Sequence, residues 1–411
     1  MWSRKIVALL FVLAVIWGLF SFGSRELESY YRFFLLLAIP TVLSVFIHPS
    51  RQLRRGPFLT ILLIGFAIFY AIFINPIVRG EGFVVAAIGW MALYITLVLT
   101  GGRQDTSRFL FFILILAGGA EALLGLAQSL GTDEMVKGFF FNRNHFSGFL
   151  NMTIPLAIGA LFANYSSRNE RRQSENWARA WIILLSLALM GLGILVSLSR
   201  MGTISLISTL IFLAILLTVS SSYTMQKSRR KRLSSSAIWM LLLMVLGLGA
   251  WVGMDELIVR FSQIEGFEIR RAVVYQDTLK LIADDPLRGV GVGMYKWKFR
   301  PYSTVRGGEW WDHAHNDYLE TAAEWGIPLA VIFWGFVFWR MWRSIRIVFN
   351  ARDSWEAGIA LGCAGAIFSI VLHSLVDFNL HVPANLAVFC TILGLSWTVD
   401  FGNRNKNFVN R

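Results

Sequence analysis

Charge is what this sequence has least of. Asp, Glu, Lys and Arg make up only 15% of its 411 residues, against about a quarter in ordinary soluble domains. Hydrophobic residues make up 56%, and mean hydropathy is +0.58, which excludes the soluble globular class. Cysteine is almost missing. The two present, Cys363 and Cys390, fall inside apolar runs, so neither a disulfide framework nor a cysteine-based zinc site is available. There is no G-x-S-x-G turn to expose a nucleophilic serine, no internal repeat and no long low-complexity linker. The run Gly289-Val290-Gly291-Val292-Gly293 lacks the strand–turn–helix surroundings of a dinucleotide fingerprint and reads, with Pro286, as turn material.

What is present is a series of apolar runs of about 20 residues, each long enough to cross the roughly 30 Å hydrocarbon layer as a helix. Backbone polar groups in lipid must be satisfied within the segment, so the chain reads as an all-α integral membrane protein. Twelve transmembrane helices are expected, near 6–23, 31–48, 58–75, 82–100, 109–130, 147–164, 178–198, 202–220, 237–254, 327–347, 356–376 and 383–400. No small-residue cleavage site follows the first run, and Ser24-Arg25-Glu26 comes directly after it, so it reads as a retained span. The net charge is +13, and the basic residues concentrate in alternate connections. One side holds Arg4, Lys5, Arg51, Arg54, Arg55, Arg103, Arg108, the Arg168–Arg179 group, the run from Lys227 to Arg232, the group Arg340, Arg343, Arg346 and Arg352, and the C-terminal tail. The positive-inside rule then puts both termini in the cytoplasm. These charges punctuate spans and form no single face, so no nucleic-acid partner is expected. Membrane lipids are the expected surroundings, and the Ser221–Ser236 stretch reads as a cytoplasmic loop touching anionic lipid.

One connection differs. The organisation reads as spans one to nine over 1–254, a large periplasmic loop over 255–326, and spans ten to twelve with a short tail over 327–411. The loop carries Trp297, Trp310, Trp311, Trp325 and several tyrosines, so it reads as folded. A helix is expected over 271–283, with Tyr275, Leu279 and Ile282 on one face. A second is expected from Asp317, with Leu319, Ala322 and Ala323 on one face and Asp317-x-x-Glu320 as an N-terminal capping pair.

That second helix lies in His313-Ala-His-Asn-Asp-Tyr-Leu-Glu-Thr-Ala-Ala-Glu-Trp-Gly326, the densest group of titratable residues in the chain. His313-x-His315 lacks the i, i+4 spacing of paired helical zinc ligands, so no metal is expected. Histidine as a general base is the remaining chemistry, and His315 is placed to face a site. Arg143, Arg200 and Arg271 stand at outward span ends or in the loop, where arginine suits bidentate phosphate binding. Glu121 lies deep in a span with Gln128 one heptad on, and charge at membrane depth is costly enough to mark function. His145 follows Arg143, His373 and Asp377 form a further polar stripe, and His381 follows. Asn316, Asp317, Glu320, Glu324 and His313 complete the expected site. Together these residues suggest a polar cavity opening outward, ringed by arginines and roofed by the histidine-bearing loop.

At these residues the chain resembles the O-antigen ligase and O-antigen polymerase superfamily of bacterial polytopic glycosyltransferases. The matching elements are Glu121 to Gln128, Asn142-Arg-Asn-His-Phe-Ser-Gly-Phe-Leu-Asn151, Ser197-Leu-Ser-Arg-Met-Gly202, Arg271 through Asp285-Pro-Leu-Arg-Gly-Val-Gly291, His315-Asn-Asp-Tyr-Leu-Glu320 with Glu324-Trp-Gly326, and His373 to His381. The resemblance spans roughly 110–400, and the His-Asn-Asp-Tyr-Leu…Glu-x-Gly element is its most specific part.

The resemblance implies a metal-independent, inverting glycosyltransferase without a cofactor, in the bacterial inner membrane with its site facing the periplasm. Its donor would be a glycan on undecaprenyl diphosphate. Its acceptor would be a sugar hydroxyl, on lipid A-core for a ligase or on a second lipid-linked glycan for a polymerase. A polymerase of lipopolysaccharide or exopolysaccharide would add a chain-length regulator as partner. By the same resemblance His315 activates the acceptor hydroxyl, and Arg200 and Arg271 bind the donor diphosphate. The rival class is a polytopic lipid or glycan transporter or flippase, which would spread polar residues through both membrane halves and carry inverted repeats.

Overall fold

The structure, a computed structural model, describes residues 2–21, 27–45, 80–101, 103–130, 136–166, 173–223, 264–305, 311–351 and 353–409. Among these, the regular structure is helical. The long helices are α1 (Trp2–Phe20), α2 (Leu27–Val45), α3 (Gly80–Thr100), α4 (Gln104–Ser129), α5 (Arg143–Ser166), α6 (Gln173–Val196) and α7 (Arg200–Tyr223). After α7 come α8 (Ile264–Asp284), α9 (Tyr295–Lys298), α10 (Asp317–Trp325), α11 (Ile327–Asn350), α12 (Ser354–His373) and α13 (Pro383–Val409), with 3-10 turns at Arg300–Tyr302 and Asn379–His381.

Among the described residues, six helices are long and apolar enough to cross a membrane: Glu81–Thr100, Gln104–Ser129, Arg143–Ala163, Trp177–Val196, Arg200–Ser220 and Ser354–His373. Helices α1, α2, α11 and α13 also overlap the expected spans at 6–23, 31–48, 327–347 and 383–400, of which residues 22–23 and 46–48 lie outside the described residues. The expected spans at 58–75 and 237–254 lie outside the described residues, as do 255–263 and 306–310 of the long connection.

α5 and α12 are the buried centre of the bundle, and small residues set their separation. A Cβ on Gly159 would lie 2.9 Å from the Gly362 nitrogen, and one on Gly358 would lie 2.7 Å from the Ala163 Cβ. Lipid gives helices no hydrophobic reason to associate, so close backbone approach through small residues supplies the packing. Polar links tie the same pair, since Ser369 Oγ donates to the Asn151 carbonyl at 2.9 Å.

Arg340 departs from the sequence reading. It was expected among the basic residues flanking the spans, but it is fully buried inside the bundle. It lies roughly 20 Å along α11, which runs Ile327–Asn350, at about 1.5 Å per residue. Its Nη2 donates to the Ser396 carbonyl at 2.6 Å and its Nε to Ser396 Oγ at 3.2 Å. The guanidinium also lies over the rings of Trp339 and Trp397, at 5.0 and 4.9 Å.

The segment between α7 and α11 has its own small core of Val274, Leu281, Ile282, Tyr295, Phe299, Trp311, Ala314 and Ala323. The inward face of α8 is Arg271, Val274, Thr278 and Leu281, whereas Leu279 is 53% exposed. The expected face was therefore rotated by part of a turn, because Arg271 and Thr278 are polar yet buried. The glycine run closes the end of α10. Val290 N donates to the Ala323 carbonyl at 2.8 Å and Gly291 N to the Glu324 carbonyl at 3.0 Å, capping carbonyls that a helix C-terminus leaves open. Gly289 takes φ +71°, and a Cβ there would lie 2.5 Å from the Gly326 nitrogen. Only glycine fits both demands.

Candidate active site

The site forms where the starts of α5, α7 and α13 and the end of α12 meet α8 and α10. Its centre is the turn between α12 and α13, and the side chain of Asp317 holds that turn. Ser374 Oγ donates to Asp317 Oδ2 at 2.7 Å, Leu380 N reaches the same oxygen at 3.3 Å, and His381 Nδ1 lies 2.8 Å from Oδ1. The backbone joins in, with Asp317 N donating to the Ser374 carbonyl at 2.9 Å.

Asp317 is free for this because Asn316 is the N-cap of α10, its side chain accepting from Tyr318 N and Leu319 N at 3.0 Å each. The expected Asp317–Glu320 capping pair is thus replaced by an asparagine cap one residue earlier. The inward face of α10 is acidic. Asp317, Glu320 and Glu324 are all buried, whereas Leu319 and Ala322 are half-buried, the reverse of an ordinary amphipathic pattern.

Of the chain's six histidines, His48 lies outside the described residues and the other five gather here. Phe378 is their hub. His313 stacks on it with centroids 3.9 Å apart, and His145 and His315 meet it edge-on at 4.6 and 4.9 Å. Each histidine faces a carboxylate or amide, and two of them share Asp377. His315 Nδ1 stands 3.6 Å from Asp377 Oδ1, and its ring meets Trp311 in a T-shaped contact at 5.4 Å between centroids. His373 Nε2 is 4.0 Å from Asp377 Oδ2. His145 Nδ1 is 3.3 Å from Asn379 Oδ1, and Asn385 Nδ2 donates to both the His145 carbonyl and Asn379 Oδ1 at 3.1 Å.

His313 Nδ1 lies 2.6 Å from Glu320 Oε1, whose other oxygen accepts from Ala314 N at 2.8 Å. Glu320 thus orients His313, while the carboxylate facing His315 comes from Asp377. Glu324 accepts from Tyr295 N at 3.2 Å.

Two electrostatic groups result. Burial alone would raise the pKa of Asp377, but His315, His145 and His373 around it hold it well below the usual carboxylate range. In the other group, burial opposes the charged form of His381, yet Glu320, Asp317 and Glu324 push its pKa up to about 10. Burial likewise raises Asp317 and Glu324, while His381 and His313 overcome burial and hold Glu320 low. His381 is therefore an imidazolium inside a carboxylate box at neutral pH.

His315 itself has φ +51°. A non-glycine residue in the left-handed region costs about 1–3 kcal/mol and persists only when its surroundings enforce it. Such strain favours a site where the side chain's direction matters more than backbone ease.

The arginines come in from two directions. Arg143 and Arg200 are the first residues of α5 and α7. Ser199 Oγ, donating to Asn144 Oδ1 at 2.9 Å and lying 3.0 Å from Ser147 Oγ, ties those two helix starts together. Both helices thus present positive dipole ends beside a guanidinium. Arg271 is buried on α8 and lies within electrostatic reach of His373.

Glu121 and Gln128 have a different address. Glu121 Oε1 accepts from Phe139 N at 2.6 Å, and Gln128 Nε2 donates to the Gly138 carbonyl at 3.0 Å. Both hold the backbone of the turn between α4 and α5. Sequence reasoning passed over Phe378, Asn379, Asn385 and the hydroxyl of Tyr275. An aromatic residue enclosed by His373, Asp377, Asn379 and His381 was the one available signal.

The family model described as O-antigen ligase matches residues 185–334. No curated protein matches the chain. The matched stretch is narrower than the roughly 110–400 over which motifs resemble the family, yet it holds Arg200, Arg271, His313, His315, Glu320 and Glu324. Residues 185–334 are thus similar to the O-antigen ligase family.

Proposed function

We propose that the protein transfers a glycan from undecaprenyl diphosphate to an acceptor sugar hydroxyl, with His315 as general base. The similarity of residues 185–334 to the O-antigen ligase family supports a glycosyltransferase-type enzyme acting on lipid-linked glycans. The observation that carries the finer reading is the pairing of His315 with Asp377 at 3.6 Å, within a cluster that Arg271 also enters. A carboxylate behind one ring nitrogen leaves the other to take the acceptor proton, the arrangement that orients catalytic histidines.

In the proposed step the acceptor oxygen attacks the anomeric carbon of the donor from the face opposite the diphosphate. The carbon–oxygen bond to the diphosphate breaks, its electron pair leaves with the lipid diphosphate, and the acceptor proton passes to His315. The anomeric configuration inverts. Arg200 and Arg271, with Arg143 at the neighbouring helix start, neutralise the leaving diphosphate; fixed cations aimed at developing charge are among the largest catalytic terms. This scheme needs no metal. The protein would sit in the bacterial inner membrane with both termini cytoplasmic and this site periplasmic, a reading supported by the basic residues of alternate connections. Ligase and polymerase share the donor and the step, and differ in whether the acceptor is lipid A-core or a second lipid-linked glycan.

The test uses purified protein with undecaprenyl-diphosphate-linked glycan, supplied alone or with lipid A-core, and resolves products by size. Product on lipid A-core marks a ligase, and a ladder from donor alone marks a polymerase. His315→Ala should abolish either while the protein remains inserted; near-normal product removes the general-base role. Activity should survive EDTA, and a loss reversed by added metal overturns the metal-free step.

A further inference from the structure

We propose that Tyr275 is a positioning residue that couples the diphosphate-binding helix to the base. The proposal rests on the assignment of His315 and Arg271 given above. The Tyr275 hydroxyl lies 2.9 Å from the His315 carbonyl oxygen and 3.3 Å from the Leu375 carbonyl oxygen. A phenol has one hydrogen to give. The shorter contact goes to His315, and Leu375 already accepts from Asn316 Nδ2 at 2.9 Å. Tyr275 therefore donates to the carbonyl of the residue that sits at φ +51°.

That strain needs an external hold. On its C-terminal side His315 is followed by the Asn316 cap, which fixes α10. Its own carbonyl is fixed by Tyr275. Without the hydroxyl, the backbone at 315 is free to relax toward ordinary φ, and the ring turns away from Asp377, from which it is already 3.6 Å distant.

The donor of this bond has a meaningful position. Tyr275 lies four residues after Arg271 on α8, about one helical turn and about 6 Å along the same face. One rigid element thus carries both a cation for the donor diphosphate and the group that holds the base. A diphosphate that pulls on Arg271 also sets the hydroxyl against His315, so the base is in register when a donor is bound. In structural enzymology terms this is orientation of the base by the leaving-group site.

The experiment compares wild type, Tyr275→Phe, Arg271→Lys and the double variant, each purified in detergent. The probe is undecaprenyl-diphosphate-linked glycan extracted from the source cells, with His315→Ala as the inactive control. Phenylalanine keeps the ring and loses only the hydroxyl. We expect kcat to fall about tenfold in Tyr275→Phe, the scale of one lost positioning hydrogen bond. Donor KM should stay within about twofold and the melting temperature should stay near wild type. The double variant should lose less than the product of the two single losses, because both act through α8. Wild-type kcat, a loss carried equally by KM, strict multiplicativity, or a variant that no longer folds each overturns the proposal. Retained activity in His315→Ala would instead strike the underlying functional reading, which separates the two failures.

Discussion

His315 Nδ1 and Asp377 Oδ1 stand 3.6 Å apart, close enough for strong electrostatic coupling and just outside hydrogen-bond reach. Such a pair is poised to tighten, and catalytic hydrogen bonds are commonly long until substrate arrives. With the carboxylate on the Nδ1 side, the opposite nitrogen is the one proposed to accept the proton. Asp377→Asn should therefore lower kcat by about 10²- to 10⁴-fold through the wrong tautomer, with little change in melting temperature. Asp377→Glu should recover part of it. Steady-state kinetics on the two variants checks this, and equal activity for Asn and wild type would remove Asp377 from the mechanism.

Much of this arrangement was legible in the sequence. The long apolar runs marked most of the described long helices, and the dense His313–Gly326 stretch drew attention to the segment around which the described histidines converge. What could not be read was direction. Asp317, Glu320 and Glu324 share spacing with an ordinary solvated helix face, and what meets that face is His381 of the α12–α13 turn, with His313 and Ser374. The identity of each partner was equally hidden. Glu320 lies five residues from His315 yet pairs with His313, while the partner of His315 comes from residue 377, sixty-two positions on. Glu121 illustrates the opposite limit: its depth in the span was correctly unusual, but a buried carboxylate can serve a turn's backbone as well as a substrate.

The arginines separate geometry from charge. Arg200→Ala and Arg271→Ala should each reduce kcat/KM by about 10²- to 10³-fold, the usual cost of removing one preorganised group facing developing charge. Lysine keeps the charge but lacks the planar fork, so each Lys variant should recover no more than about a tenth of wild-type activity. Full recovery by lysine, measured with saturating acceptor, would show that a point charge suffices and the bidentate contact is irrelevant.

Glu121 tests structure against chemistry. Its carboxylate binds Phe139 N at 2.6 Å and packs against Gly138, which has φ +58°. Gly138→Ala adds a Cβ in a conformation that resists one and pushes it into that carboxylate, for a loss of about 1–3 kcal/mol or more. Glu121→Ala leaves the part-buried Phe139 amide without its acceptor, a loss of about 1 kcal/mol or more. Both variants should lower the melting temperature and the folded yield, and the activity per folded molecule should stay within a few-fold of wild type. A stable Glu121→Ala protein with no activity would place Glu121 in the catalytic machinery.

His381 predicts how stability depends on pH. Three carboxylates push its pKa up to about 10, above the unfolded value of about 6.5. A pKa raised in the folded state favours folding most where the proton is held in both states, below about pH 6.5. That contribution shrinks as pH rises and is gone above about pH 10. The melting temperature should therefore fall steadily between pH 7 and pH 10 as the imidazolium releases the Asp317-bound turn. His381→Gln keeps a hydrogen-bonding side chain without a titrating charge. Its melting temperature should be lower than wild type at pH 7 and should change little over the same range. Since the same turn carries Asp377, wild-type activity should decline irreversibly sooner at alkaline pH than at pH 7. A wild-type melting temperature that is flat from pH 7 to pH 10, in a protein shown to be folded throughout, would mean the carboxylate box does not hold His381 protonated.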